Sequence, residues 1–83
     1  MARKYKKTRV KQWIKVQWLH GREWIECHYC GNRMTFCEIT LDHVQPISKD
    51  GSNHISNLIP ACACCNLRRG DMPYADFVRA IAA

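Results

Sequence analysis

Cys27-His28-Tyr29-Cys30-Gly31 opens a segment that closes on Cys62-Ala63-Cys64-Cys65-Asn66, and Leu41-Asp42-His43-Val44-Gln45-Pro46 lies between them. Two residues between cysteines let both sulfurs of a tight turn face one ion, and two such turns supply the corners of a tetrahedron. Gly31 suits the backbone of the first turn. A closed four-sulfur shell on Cys27, Cys30, Cys62 and Cys65 leaves no position for water, so the zinc expected there is structural. Cys64 competes with Cys65 as a ligand, but only Cys65 keeps the two-residue spacing. Cys37 has no partner at that spacing and reads as a buried thiol in a strand. His28, inside the first turn, reads as a solvent-facing turn residue.

The chain has 83 residues, six of them cysteine. A domain this short buries only roughly 60% of its unfolded surface, so it needs a staple. No apolar run follows the basic start, and none is long enough to span a bilayer. A cytoplasmic chain is expected, where paired cysteines bind metal rather than form disulfides. The formal charge is +6. Four thiolates and one dication would bring the loaded protein to about +4. Arg3, Lys4, Lys6, Lys7, Arg9 and Lys11 crowd the first eleven positions without an acid among them. A basic arm of this kind over residues 1–11 is either a solubilising tail or the footprint of a polyanion partner.

Outward from the cysteine frame, residues 8–20 are expected to form an amphipathic helix. Val10, Trp13, Ile14 and Trp18 recur near its period, with the tryptophans in the core and the lysines outward. Gly21 stops the helix, and His20 reads as its C-terminal residue, favoured there by the helix dipole. Residues 34–44 are rich in β-branched and aromatic types and predict one or two short strands. Residues 48–57 are dense in turn formers and predict a loop. Leu58-Ile59 predicts a short strand before Pro60. The second cysteine cluster opens a helix toward Gly70. Pro73 starts a last helix over 73–82, with Tyr74, Phe77, Val78 and Ile81 on one face. The expectation is one α+β domain, with no repeat and no linker.

The order is cysteine turn, Asp42-His43-x-x-Pro46, Gly51, Asn57-Leu58, cysteine turn, Asn66-x-x-Arg69-Gly70. In that order the chain resembles the HNH endonuclease family, in the branch framed by two cysteine knuckles, over roughly residues 25–72. The resemblance implies a ββα-metal fold of two antiparallel strands, a loop and a helix, with a metal between. It matches His43 to the first His of the family name, Asn57 to its Asn and Asn66 to its last position, where His is often found instead. It also implies a DNA substrate and 5′-phosphate and 3′-hydroxyl ends.

Phosphodiester hydrolysis needs a base for water, charge compensation at phosphate and a stabilised leaving oxygen. His43 is the candidate base, since an imidazole titrates near working pH. Asp42 and the Asn66 amide oxygen suit Mg²⁺ or Mn²⁺, which prefer oxygen ligands. Asp42 would need a bend at the strand end to share a phosphate with His43, because neighbours on a strand point apart. Asn57 is expected to orient the imidazole. Arg69, and behind it Arg68, would hold the scissile phosphate, with Lys6, Lys7 and Arg9 on the flanking backbone.

Alone, each residue has a plainer role: Asp42 a turn former, His43 a bonded core histidine, Asn57 a loop turn, Asn66 a helix cap. His54 has no motif role and reads as surface or phosphate-facing. Two rival functions share the frame. A zinc-stapled nucleic-acid-binding module without catalysis would keep the arm and both knuckles, but has no need of Asp42, His43 and Asn66 together. A ring-type protein-interaction module generally binds two zincs and needs more ligands. A single active site would nick one strand as a monomer. A double-strand break would require a dimer, weak or otherwise, or a second encounter. A domain this small has little surface for reading bases, so sequence preference should be weak.

Overall fold

The computed structural model describes the backbone of residues 2–82 and the side chains of residues 9–82. Helix α1 runs Ala2–Leu19 and so begins within the basic arm, ahead of the residue 8 at which the helix was expected to start. The physical reason is local: no Gly or Pro interrupts these residues, and Lys, Arg, Gln and Ala are good helix formers. His20 and Gly21 both take positive φ, 49° and 80°, and the chain leaves the helix there as expected. Among the described side chains of α1, only a narrow stripe meets the core. Ile14 and Leu19 are buried, whereas Trp13 is 56% exposed. Trp13 was expected inside. Adjacent helical residues stand 100° apart, so seating Ile14 turns Trp13 to solvent, while Trp18, four residues on from Ile14, keeps contact.

Strands β1 (Ile25–Glu26) and β2 (Arg33–Met34) form a small antiparallel ladder on either side of the first cysteine turn. The stretch 34–44, expected to hold one or two short strands, holds the end of β2 and a second strand, parted after Met34. Glu38 accepts hydrogen bonds from the Thr35 amide at 2.8 Å and the Thr35 hydroxyl at 3.0 Å, which tightens Thr35–Glu38 into a turn. Cys37 lies in that turn and is exposed, not buried. β3 (Ile39–His43) then pairs antiparallel with β4 (Leu58–Cys62), Ile39 opposite Cys62 and His43 opposite Leu58. β4 thus runs through Pro60, where the strand was expected to end. A two-stranded sheet has an outer edge on each strand, so a missing N–H is tolerated there. The Pro60 carbonyl accepts from the His28 amide at 2.9 Å and ties the first knuckle to β4.

Helix α2 (Ala63–Arg69) follows β4 directly and packs on both strands. With β3, the loop and β4 it completes the ββα unit. Helix α3 (Tyr74–Ala82) docks through Phe77, whose ring meets Tyr29 edge-on with centroids 4.8 Å apart. The buried cluster joins Leu19, Ile25, Met34, Ile39 and Ala61 to Cys27 and Cys65, so two of the four clustered cysteines belong to the core itself.

The loop from Val44 to Asn57 contains two short 3₁₀ turns, Ile47–Lys49 and Ile55–Asn57. It doubles back so closely that a Cβ on Gly51 would lie 1.7 Å from the Gln45 carbonyl oxygen and 2.7 Å from that of Pro46. Glycine is required here for space. Gly51→Ala must push main chain away from main chain, and should cost at least about 2 kcal/mol. Urea unfolding of the zinc-loaded protein checks this, and an unchanged midpoint would contradict it.

Candidate metal centre and catalytic cleft

Two cysteine turns, one between β1 and β2 and one at the start of α2, bring four sulfurs together. The Sγ atoms of Cys27, Cys30, Cys62 and Cys65 all lie within 4.8 Å of one another, and those of Cys30 and Cys62 are 3.8 Å apart. A tetrahedron with metal–sulfur bonds of about 2.3 Å has edges of about 3.8 Å. The spacing fits a zinc ion and is far beyond a disulfide bond. All six cysteines are free thiols. Burial opposes the Cys27 thiolate, but amide donors of Cys30, Cys62 and Tyr29 outweigh it and bring its pKa down to about 7. Burial and the neighbouring thiols push Cys65 the other way, well above the usual thiol range. An array that resists full deprotonation until a dication arrives is what a four-thiolate site presents. His28 stays outside the cluster, its Nε2 2.6 Å from the Tyr74 hydroxyl. Cys64 is exposed and is not one of the four.

Separate from the cysteine cluster, β3, β4, α2 and α1 enclose a cleft of about 640 Å³. His43 lines it from the end of β3, Asn66 from α2 and Asn53 from the loop. The His43 Nε2 lies 2.9 Å from the Asn53 Oδ1. An amide oxygen only accepts, so this contact places the imidazole proton on Nε2 and leaves Nδ1 with a lone pair in the neutral ring. Asn66 donates from Nδ2 to the Thr40 hydroxyl at 3.0 Å and the Leu41 carbonyl at 3.2 Å, which fixes the amide plane and keeps its Oδ1 as the acceptor end. Sequence reasoning assigned imidazole orientation to Asn57. Asn57 instead accepts from the Gln45 amide at 2.9 Å and donates to the carbonyls of Gln45 and Ser52. It closes the loop that carries Asn53. Asn53 itself was missed, because it sits in a run of turn formers with no spacing that ties it to His43.

Asp42 points away from the cleft, as strand alternation requires. It is 4% exposed, and its Oδ2 meets the Arg69 Nη1 at 2.7 Å and the Tyr29 hydroxyl. Burial and the bond to Asp42 raise the Tyr29 phenol far above its ordinary value, so it stays a donor. Arg69, expected on the scissile phosphate, is 2% exposed. Its other donors reach the His43 carbonyl at 2.6 Å, the Val44 carbonyl at 2.5 Å and the Met72 carbonyl at 3.0 Å. A guanidinium saturated by main-chain oxygens and a buried carboxylate has no free face for a phosphate. It pins the end of β3, and so His43, to α2. Arg68, one residue back, is exposed, as is Arg9 on α1. The side chains of Lys6 and Lys7 lie outside the described residues. His54 caps the second 3₁₀ turn, its Nδ1 accepting from the Ser56 amide at 3.2 Å.

A ββα unit closed by a four-cysteine cluster, with a histidine at the end of its first strand, defines the class. The model of the HNH endonuclease family matches residues 27–72, more than half the chain, and the chain belongs to that family. It is similar to the CRISPR-associated endonuclease Cas9 of Corynebacterium diphtheriae, 38% identical over 55 residues that make up 65% of this chain and 5% of that protein. It is also similar to the SPbeta prophage-derived protein YoqL of Bacillus subtilis, whose name carries the HNH endonuclease label. That match is 29% identical over 72 residues, 75% of this chain and 31% of the relative. The chain therefore spans less than a third of the length of these relatives. Among the described residues, no helix is long and apolar enough to cross a membrane.

Proposed function

We propose that the protein is a metal-dependent endonuclease that hydrolyses DNA phosphodiester bonds, nicking one strand per encounter as a monomer in the cytoplasm of a bacterial or phage-infected cell. The observation that carries this reading is the His43 ring, whose Nε2 meets the Asn53 Oδ1 at 2.9 Å, lining one cleft with Asn66. Family membership supports the substrate class.

In this reading Nδ1 of His43 takes a proton from water. The water oxygen bonds to phosphorus as the bond from phosphorus to the 3′ oxygen breaks. That oxygen leaves with the bonding pair and takes a proton from solvent water, giving a 3′-hydroxyl and a 5′-phosphate. A divalent ion such as Mg²⁺ or Mn²⁺ would be held by oxygen donors, Asn66 Oδ1 and Asp42, and would compensate charge on the leaving oxygen. The Asn66 amide fits this role as it stands. Asp42, turned to Arg69 on the other side of β3, would join it only through a bend at the strand end that brings both neighbours to one side. The four cysteines would hold a structural zinc. Asn53 fixes the tautomer, while Asn57 acts at one remove by shaping the loop.

Supercoiled plasmid tests the proposal. Zinc-loaded protein with Mg²⁺ or Mn²⁺ should convert it to open circles. His43→Ala should slow the conversion by about 10²–10⁴-fold, and Asn53→Ala by a smaller factor. Early linear product would show a working dimer. A wild-type protein that retards the plasmid on a gel but cuts it with no divalent ion would make the non-catalytic binding module the better account.

A further inference from the structure

The residues that α1 contributes to the cleft lie outside the 27–72 stretch that the family model matches. Ile14, 2% exposed, seats the helix and fixes its rotation. That rotation puts Lys11 and Lys15 on the wall of the same cleft that His43, Asn53 and Asn66 line. One turn apart, the two ammonium groups stem from positions separated by about 6 Å along the helix axis, a step the size of one sugar–phosphate unit. Among the described residues, none that lines the cleft carries a carboxylate, and Asp42 is turned to Arg69 on the other face. The rest of the lining includes Val10, Ile14, Leu41 and Leu58. Apolar walls strengthen the field of the lysines at the cleft mouth. Lys15 is steadied by the Phe36 ring, 5.2 Å from its Nζ. Lys11 is exposed, and the ion pairs among the described residues, Arg69–Asp42 and Arg79–Asp76, do not involve it.

We propose that Lys11 and Lys15 form a two-phosphate clamp on the strand that is cut, gripping its backbone across the cleft from His43 and Asn66. The clamp rests on the endonuclease reading for its partner, DNA, but not for its measurement. It makes α1 a wall of the substrate groove rather than a mere support, with Lys11 and Lys15 on the cleft. Lysine suits this work as a point charge on a flexible stem that follows the backbone without reading bases.

The test uses the full zinc-loaded chain in a His43→Ala background without divalent ion, so that nothing is cut. Anisotropy of a fluorescein-labelled 20-base-pair duplex is followed across KCl concentrations. Removing one lysine–phosphate interaction lowers the magnitude of the slope of log K against log salt by about 0.9. Lys11→Gln with Lys15→Gln should therefore reduce it by about 1.8, and each single change by about half of that. Gln keeps helix propensity close to that of Lys, and circular dichroism with zinc content verifies the fold. Arg79→Gln, which removes an equal charge on α3 away from the cleft, should leave the slope unchanged. An unaltered slope in the double variant overturns the clamp, as does an equal loss for Arg79→Gln, which would mark a net-charge effect, or no binding to DNA at all. The plasmid assay separates the two claims. Cutting by wild type with an unaltered slope in the double variant rejects the clamp alone. A reduced slope without cutting by wild type keeps the clamp and rejects the nuclease.

Discussion

Removal of zinc should unfold this protein. A domain of 83 residues has a net stability of about 4–12 kcal/mol, whereas a four-thiolate zinc site contributes about 10–16 kcal/mol of apparent binding energy at neutral pH. Cys27 and Cys65 are part of the core cluster, so an ion bound there would close the same interior that Met34, Ile39 and Ala61 fill. Without it four sulfurs crowd together with their protons restored. Chelation should abolish the far-UV circular dichroism of the folded state together with release of one equivalent of zinc, and Cys65→Ser should not fold at ordinary zinc concentrations. Native dichroism retained in metal-free protein would contradict this. The pH dependence has a definite sign. Zinc needs thiolates, and Cys30 and Cys65 are held above the ordinary thiol pKa, so uptake releases protons. Cys27 is the exception, brought from 9.0 to about 7. Its contribution is fully present above pH 9 and is lost as pH falls through 7. Zinc affinity should therefore decline on acidification.

Arg69→Ala is expected to cost about 3–5 kcal/mol, the usual penalty for leaving a buried charge unpaired, and so to remove much of the stability of the loaded domain. The guanidinium side chain has no exposed surface, and the Asp42 carboxylate it meets is 5% exposed. Truncation strands that carboxylate and frees the His43 and Val44 carbonyls. Urea unfolding at constant zinc measures the loss. Asp42→Asn combined with Arg69→Met should recover part of it, because an uncharged pair carries no uncompensated ion. Had Arg69 been a phosphate ligand on the surface, Arg69→Ala would leave the unfolding midpoint within about 0.5 kcal/mol of the parent and weaken DNA binding instead. The two accounts predict opposite readouts.

The four-cysteine frame was legible because covalent spacing alone lets both sulfurs of a Cys-x-x-Cys turn face one point. The ββα order was legible because the strand, loop and helix signals follow one another without overlap between Ile39 and Gly70. Trp13 misled because periodicity reports that a helix has an apolar side, and not how much of that side the rest of the chain covers. Cys37 misled because β-propensity could not register the competing Thr35–Glu38 turn, a side-chain bond to the main chain.

The residue composition of the cleft region, the two-by-two spacing of the four clustered cysteines and the basic character of the N-terminal stretch were thus determined by local sequence alone. Which donor meets His43, where Arg69 spends its charge and which lysines of α1 face the cleft were decided by the tertiary fold. These depend on how the 44–57 loop closes over Gly51 and on the rotation that Ile14 imposes on α1. Contacts of that kind join residues 10 to 27 positions apart, and their geometry comes from packing, which no spacing along the chain encodes.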